Sequence, residues 1–323
     1  MKRVIKPEGA CNIEIEDVSL PEIRESEVLI RTSRTLISRG SEIWRRYVRE
    51  EAIDPKIMGY SLAGTIVQVG SRVDDFSMGE RVAALAPHAE FVAVEVVHAR
   101  NKPSVVSLPD SVSDEAATFW PLATSSVMWM QETQASSDDT MAMLGQGLVG
   151  SGCMQVAKQM LNCRVIAVDA LQLRCELAKK LGADAVVNAR QTDPIEAVKE
   201  LTGGKGADIV VEAVGGRAGA QAFLQAQDMV RGGGLLQVLG LYEDEPLPLD
   251  SSKIQGKRLV GGYLDREGRP GGSDKAIQLL MEGKIQTEAM VTHHFGFEDA
   301  AEAFDLLYTR LDETMAVMLV WKD

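Results

Sequence analysis

"TMAMLGQGLVGSGCMQVAKQMLNCRVIAVD", residues 140–169, decides how this chain is read. An apolar run ends in Gly145-Gln146-Gly147-Leu148-Val149-Gly150, which fits G-x-G-x-x-G. A helical pattern, "GCMQVAKQMLN", follows, and "RVIAVD" is a second strand-like run. The glycine spacing alone is weak, because the chain holds 29 glycines. Strand, glycine turn, helix and strand in succession are more specific. Gly145 permits a tight turn, Gly147 lets backbone amides approach a pyrophosphate, and Gly150 allows close helix–strand packing. The helix N-terminus adds partial positive charge. Asp169 ends the second strand nineteen positions after Gly150, where an acid accepts hydrogen bonds from a ribose diol. An aspartate there repels a 2′-phosphate, so the expected cofactor is NAD(H) rather than NADP(H). The competing reading is a glycine turn in an ordinary α/β protein with a surface aspartate.

Downstream the alternation continues. "LRCELAKKLGAD" is an amphipathic helix closed by Gly182, "AVVNA" a strand, and "DPIEAVKELTGG" a helix with Pro194 near its start. "ADIVVEAVG", "LLQVLGLY" and "RLVGGYL" read as strands, with "AGAQAFLQAQDMVRGGG" as a helix. Such alternation predicts an α/β fold: a doubly wound parallel sheet with helices on both faces. Arg174, Ala213, Val214, Gly240 and Leu241 are further candidate cofactor contacts.

The first third is different. "NIEIEDV", "EVLIRTSRTLIS", "LAGTIVQVGSRV", "FSMGERVAALAP" and "AEFVAVEVVHA" alternate apolar and polar residues between turns, as strands of a compact β-barrel-like module do. Ser113, with Asp114 and Glu115 behind it, marks a helix start, and Pro121 interrupts or starts a second helix. The tail holds two helical segments, "SDKAIQLLMEGKI" and "FEDAAEAFDLLYTR", around "VTHHFGF", and ends in a strand, "MAVMLVW".

Composition narrows the function classes. The 323 residues suffice for two domains with real cores. A net charge of −13 without a basic block argues against nucleic acid. No apolar run approaches the roughly 18 residues a membrane helix needs. "MKRVIKPEGACNIEIEDV" is no signal peptide, which points to the cytoplasm. Cys11, Cys153, Cys163 and Cys175 form no Cys-x-x-Cys pair and read as core thiols. His88, His98, His293 and His294 show no metal-binding spacing.

"EVLIRTSRTLIS", "GYSLAGTIVQVGSRVDDFSMGERV", "AEFVAV", "LPDSVSDEAA", "LGQGLVG", "ELAKKLGADAVVN", "GADIVVEAVG", "GGGLLQVLG" and "FEDAAEAFDLL" stand in an order that resembles the medium-chain dehydrogenase/reductase superfamily over essentially the whole chain. The resemblance implies a GroES-like β-rich catalytic domain, residues 1–122 and 265–323, split around a Rossmann domain, residues 123–264. It also implies a homodimer paired through "RLVGGYL". "ISRGSE" with "GYSLAG" resembles a branch that includes bacteriochlorophyllide hydroxyethyl dehydrogenases.

Zinc-dependent members carry a first ligand cysteine where this chain has Arg39, and a second ligand histidine where it has Tyr60. Their four-cysteine lobe should follow "GERV", but "GERVAALAPHAEFVAV" contains no cysteine. A guanidinium cannot ligate a metal. The expectation is an enzyme without zinc. The oxyanion then needs hydrogen-bond donors or a cation.

Three residues are candidates for that work. Ser41 stands where zinc-dependent relatives carry a relay hydroxyl; the alternative is a cap for "EIWRRYVRE". Tyr60, at a former ligand position, donates a proton or binds substrate; the alternative is an aromatic lid. Arg39 stabilises an oxyanion or binds an anionic substrate group; the alternative is an ion pair with Glu42 or a nearby acid. Trp44, Trp120 and Ser61 are candidate pocket residues, with Trp129 a further aromatic that reads as pocket or core. The expected reaction interconverts a secondary alcohol and a ketone on a small molecule. Enone or quinone reduction, and a non-catalytic NAD(H)-binding or redox-sensing role, stay open.

Overall fold

Period-two alternation in the N-terminal third builds strands, and the computed structural model describes residues 1–52, 56–98, 103–241, 246–262 and 271–321. Two compact units emerge: Met1–Thr124 with Arg269–Gly283 and Thr287–Asp323, and Ser125–Gly268 with Lys284–Gln286.

In the first unit, β1 (Lys2–Ile5) pairs antiparallel with β2 (Glu14–Asp17). β3 (Glu27–Leu36), β4 (Ser61–Val69), β5 (Arg81–Ala84), β6 (Phe91–Glu95) and β7 (Val105–Ser107) form the body of a larger, mostly antiparallel sheet. Alternate residues of these strands, among them Val28, Ile30, Leu62, Ile66, Val82 and Val94, fill one core. Ser113 caps α1 (Asp114–Ala117), its Oγ accepting from the Ala116 amide at 3.1 Å. Pro121 sits in the first turn of α2 (Trp120–Thr133), where its missing N–H is harmless.

The second unit is the doubly wound sheet. β8 (Thr140–Leu144), α3 (Leu148–Val156), β9 (Arg164–Asp169), α4 (Gln172–Lys180), β10 (Ala185–Asn188), α5 (Pro194–Leu201), β11 (Ala207–Glu212), α6 (Gly219–Met229), β12 (Val230–Val238) and β13 (Arg258–Gly261) alternate along the chain. All pairings are parallel, in the order β10-β9-β8-β11-β12-β13. Gly182, at φ +101°, closes α4: its amide bonds Lys179 O and the Ala183 amide bonds Ala178 O, which serves the last carbonyls. Asp193 caps α5 by accepting from Ile195 and Glu196 amides.

One segment departs from expectation. The sequence pattern predicts a helix running through "MVRGGG", but α6 ends at Met229 and the chain enters β12. Register with β11 jumps from Ala207–Val230 to Ile209–Leu235, so the intervening glycines bulge. Glycine is a poor helix former, and Gly233 takes φ +74°. Tyr242 of "LLQVLGLY", and Tyr263 and Leu264 of "RLVGGYL", lie outside the described residues.

The chain then returns to the first unit. α7 (Gly272–Met281) precedes β14 (Val291–Gly296), α8 (Ala300–Thr309) and β15 (Ala316–Val320). β15 pairs antiparallel with β3 and parallel with β14. Phe304 and Leu307 of α8 join Ile37, Ile43, Tyr47, Met58 and Val317 in a second core of this unit. Among the described residues, no helix is long and apolar enough to cross a membrane.

Candidate active site

The order of the parallel sheet reverses between β8 and β11, so their carboxyl ends flank a crevice at the switch point. Gly145 leaves β8 at φ +85°, its amide donating to Val168 O at 2.8 Å. A Cβ on Gly145 would lie 2.8 Å from Val214 Cγ2 and 3.0 Å from the Ala213 backbone, so those two residues wall the turn. A Cβ on Gly150 would lie 1.7 Å from Gly145 O, so only glycine lets α3 start this close to the strand. Gly147 differs: the first atom its Cβ would meet is Arg174 Nη1, 3.9 Å away. Gly147 is the N-cap of α3 and gives it no side-chain cap. The first amides of the helix, starting at half-buried Leu148 and Val149, are left for an acceptor from outside the helix.

Asp169 sits beside this loop with its side chain nearly buried. Its Oδ2 accepts from the Gln146 amide at 2.6 Å, and its Oδ1 from the Leu171 amide at 2.8 Å. Gln146 is fully buried, its Nε2 donating to Met143 O. Arg174, on α4, brings Nη1 to 3.8 Å from Asp169 Oδ2, and its Nε is buried with no hydrogen-bond partner among the described residues. At the end of β12, the Gly240 amide donates to Glu212 O, and Leu241 O accepts from Gly216. An open glycine, an uncapped helix start, an acceptor carboxylate and an under-bonded guanidinium fit a dinucleotide.

The first unit holds the other candidates. Arg39–Tyr47 is a helix with wide, π-type turns, seen in the Val48 amide bonding Ile43 O. Its cap is Ser38, whose Oγ accepts from the Ser41 amide at 3.4 Å, so the capping role weighed for Ser41 belongs to Ser38. Arg39 Nη1 donates to Leu307 O at 2.9 Å, and its guanidinium lies 5.8 Å from the centre of the Trp44 ring. Trp44 in turn meets Tyr308 edge-on at 6.0 Å. Tyr60 is half-buried and immediately precedes β4.

Two pocket expectations need correction. Ser61 is completely buried, and its hydroxyl donates to Thr118 O, so it braces α1 against β4 instead of lining a pocket. Trp120 is 1% exposed with its indole N–H bonded to Ser273 Oγ at 3.0 Å. It ties the first residue of α2 to α7, because a buried N–H must find an acceptor and Ser273 supplies it. Trp129 is also nearly buried, and its carbonyl accepts from Gln237. Of the thiols, Cys153, Cys163 and Cys175 are buried, whereas Cys11 is exposed and departs from the core reading.

Sequence reasoning missed a buried acid–imidazole pair. Glu42 Oε1 lies 3.0 Å from His88 Nε2, and the two side chains are 2% and 0% exposed. Glu42, an expected ion partner for Arg39, turns inward instead, its Oε2 accepting from the Ser38 amide at 2.7 Å. Nothing local marks a residue 46 positions away as its partner.

Arg39, where the resemblance implies a ligand, does not fit a zinc ion. Arg39 has no lone pair to give, and the His88 Nε2 is engaged by Glu42. Among the described residues, no three His, Cys, Asp or Glu side chains gather to hold a metal.

Comparison with known proteins matches residues 24–102 to the alcohol dehydrogenase GroES-like domain and residues 149–279 to the zinc-binding dehydrogenase family. Sorbitol dehydrogenase of Bacillus subtilis (strain 168) is 30% identical over 95% of this chain and 94% of its own. The alcohol dehydrogenase TADH from Thermus sp. ATN1 shares the fold with a TM-score of 0.83 at 24% identity, over 99% of each chain. An Escherichia coli alcohol dehydrogenase solved in complex with NADH gives 0.83 at 22%, again over 99% of each.

Proposed function

This chain belongs to the medium-chain dehydrogenase/reductase superfamily, and we propose that it is an NAD(H)-dependent, zinc-independent oxidoreductase interconverting a secondary alcohol and a ketone. The observation that carries the proposal is Asp169, held by the Gln146 and Leu171 amides at the end of β9 beside the glycine turn. Both oxygens keep lone pairs for a ribose diol, and the fixed negative charge opposes a 2′-phosphate. A cofactor held there by its adenosine ribose would supply the hydride donor or acceptor through its nicotinamide.

The chain's own residues do the rest. Gly147 and the first amides of α3 hold the phosphates. Ala213, Val214, Gly240 and Leu241 border the crevice beyond them. Ser41 and Tyr60 supply hydroxyls that pass or hold the alcohol proton, and Arg39 stabilises the developing oxyanion. The arginine suits this task because its planar guanidinium carries a positive charge and several N–H donors. The likeness to a sorbitol dehydrogenase supports a small polyol or related secondary alcohol as substrate. We assign residues 1–122 and 265–323 to the catalytic domain and 123–264 to the cofactor domain. We also assign a homodimer through edge strand β13, whose Leu259 is 43% exposed, to be read by analytical ultracentrifugation.

The test uses chelator-dialysed protein with NAD⁺ or NADH against secondary alcohols, polyols, ketones and enones, followed by nicotinamide absorbance. Turnover of an alcohol or its ketone at a rate unchanged by the chelator is expected. Turnover confined to enones, restoration by added zinc, or tight NADH binding with no turnover would each overturn the proposal.

A further inference from the structure

We infer that the buried Glu42–His88 pair is a positioning link: it sets the start of the Arg39–Tyr47 helix, with Arg39 and Ser41, against the Met58–Tyr60 turn. The inference rests on the reading above of Arg39, Ser41 and Tyr60 as the reacting groups.

The link can be followed bond by bond. Ser38 Oγ accepts from the Ser41 amide, and the Ser38 amide donates to Glu42 Oε2 at 2.7 Å, while the Glu42 amide returns to Ser38 O at 2.9 Å. This reciprocal cap ties the carboxylate to the first turn of the helix. Glu42 Oε1 then takes His88 Nε2 at 3.0 Å. From His88 the path continues along the backbone. Its amide donates to Met58 O at 2.7 Å, the Met58 amide to Val4 O at 2.9 Å, and the Val4 amide to His88 O at 2.9 Å. Gly59, at φ +130°, follows Met58, and a Cβ on it would lie 2.2 Å from the His88 nitrogen. The turn that presents Tyr60 is therefore pressed onto the backbone of the same histidine that grips Glu42. Phe304, edge-on at 6.1 Å, holds the imidazole plane.

The chemistry of the pair fits holding rather than transfer. A carboxylate only accepts, so Nε2 carries the hydrogen. His88 Nδ1 is buried with no hydrogen-bond partner among the described residues. A hydrogen there would be a buried, unmet donor, so Nδ1 stays bare. Apolar side chains of similar volume would fill this core without desolvating a charge. What a polar pair adds is one allowed geometry, because each partner satisfies the other only at hydrogen-bond distance. Its position between the two segments makes that geometry matter: displacement of a reacting group by about 1 Å lowers turnover by about 10²-fold.

The experiment compares His88→Leu, which fills the space without a donor, with His88→Gln, whose amide reaches the Nε2 position. Hydrogen–deuterium exchange is read by mass spectrometry, and kcat and KM for NADH are measured beside it. In His88→Leu, amides of 39–47 and 58–61 should exchange about tenfold faster or more, with the Gly145–Gly150 loop unchanged. The kcat should fall about 10²-fold at unchanged KM for NADH. His88→Gln should restore protection. A folded His88→Leu with unchanged protection overturns the link. Lost protection with unchanged kcat upholds the link and instead overturns the assignment of Arg39, Ser41 and Tyr60. If no substrate turns over, the exchange arm alone decides. Should His88→Leu fail to fold, ¹⁵N spectra of the wild-type imidazoles decide, with His88 assigned by its loss in His88→Gln. Hydrogen on Nε2 and none on Nδ1 supports the link, and the reverse overturns it.

Discussion

Asp169 and Gln146 are joined by a 2.6 Å hydrogen bond from backbone nitrogen to carboxylate, which ties the end of β9 to the middle of the glycine turn. The same carboxylate holds the Leu171 amide at 2.8 Å. If Asp169 also holds the cofactor ribose, as proposed, binding and local folding are coupled through one side chain. Asp169→Ser should raise the Kd for NADH by about tenfold or more and reduce unfolding free energy by about 2 kcal/mol, the cost of stranding buried amides. Fluorescence titration and urea denaturation measure the two effects. An unchanged Kd would remove Asp169 from the ribose.

The glycines of the loop should separate by function. Gly150→Ala puts a methyl group 1.7 Å from Gly145 O and should cost about 3 kcal/mol of stability. Gly147→Ala meets only Arg174 Nη1 at 3.9 Å, at φ −73°, so stability should stay within about 0.5 kcal/mol. In the proposed cofactor site its methyl group would stand where the pyrophosphate approaches, so NADH affinity should fall. A Gly147→Ala variant that binds NADH normally would place the phosphates elsewhere.

Thiol chemistry should divide the cysteines sharply. Burial pushes Cys153 up to about 12 and Cys163 up to about 11, and raises Cys175 as well. Cys11 is exposed. A thiol reagent at about pH 8 should label Cys11 quickly and the other three only on unfolding, because the thiolate is the nucleophile. Peptide mapping of the labelled protein identifies the sites.

Acid should weaken the join between β8, β11 and β12. Asp208 accepts from the Thr140 amide at 2.8 Å and pairs with Arg231 at 2.6 Å. Burial pushes its carboxyl up, but the Thr140 amide and Arg231 outweigh that and hold it below the ordinary value. A carboxyl depressed in the folded state gives stability that is present above the unfolded pKa, about 4, and is lost as pH falls through the folded value. Asp208→Asn should therefore be less stable than the parent by about 1–2 kcal/mol at neutral pH. The gap should close as pH falls from about 4 through the lower folded value, as read by Tm across pH. A gap independent of pH would show that the carboxylate charge is not what matters.

Much of the fold was legible because its causes are local. The alternation of apolar strand and amphipathic helix from Thr140 onward predicts the parallel sheet, and Gly182 and Ser113 mark helix ends through bonds to neighbours within a few residues. The helical reading through "MVRGGG" failed for a tertiary reason: Val230 pairs with Ala207, which the 3.6-residue pattern does not register. Ser61 and Trp120 looked like pocket residues from position alone, yet Thr118 O and Ser273 Oγ claim their polar hydrogens.

The sequence by itself determined the glycine turn, the acid at the end of the next strand, and that Arg39 brings no lone pair to a metal. Those features follow from residue type and short spacing, since a missing Cβ or a missing lone pair is a property of the residue alone. Only the tertiary structure decided that Ser38 caps the helix holding Ser41, that Glu42 turns inward, and that His88 receives it from 46 positions away. A buried carboxylate must be met by whatever donor the fold carries to it, and that choice is made by packing, which spacing along the chain does not encode.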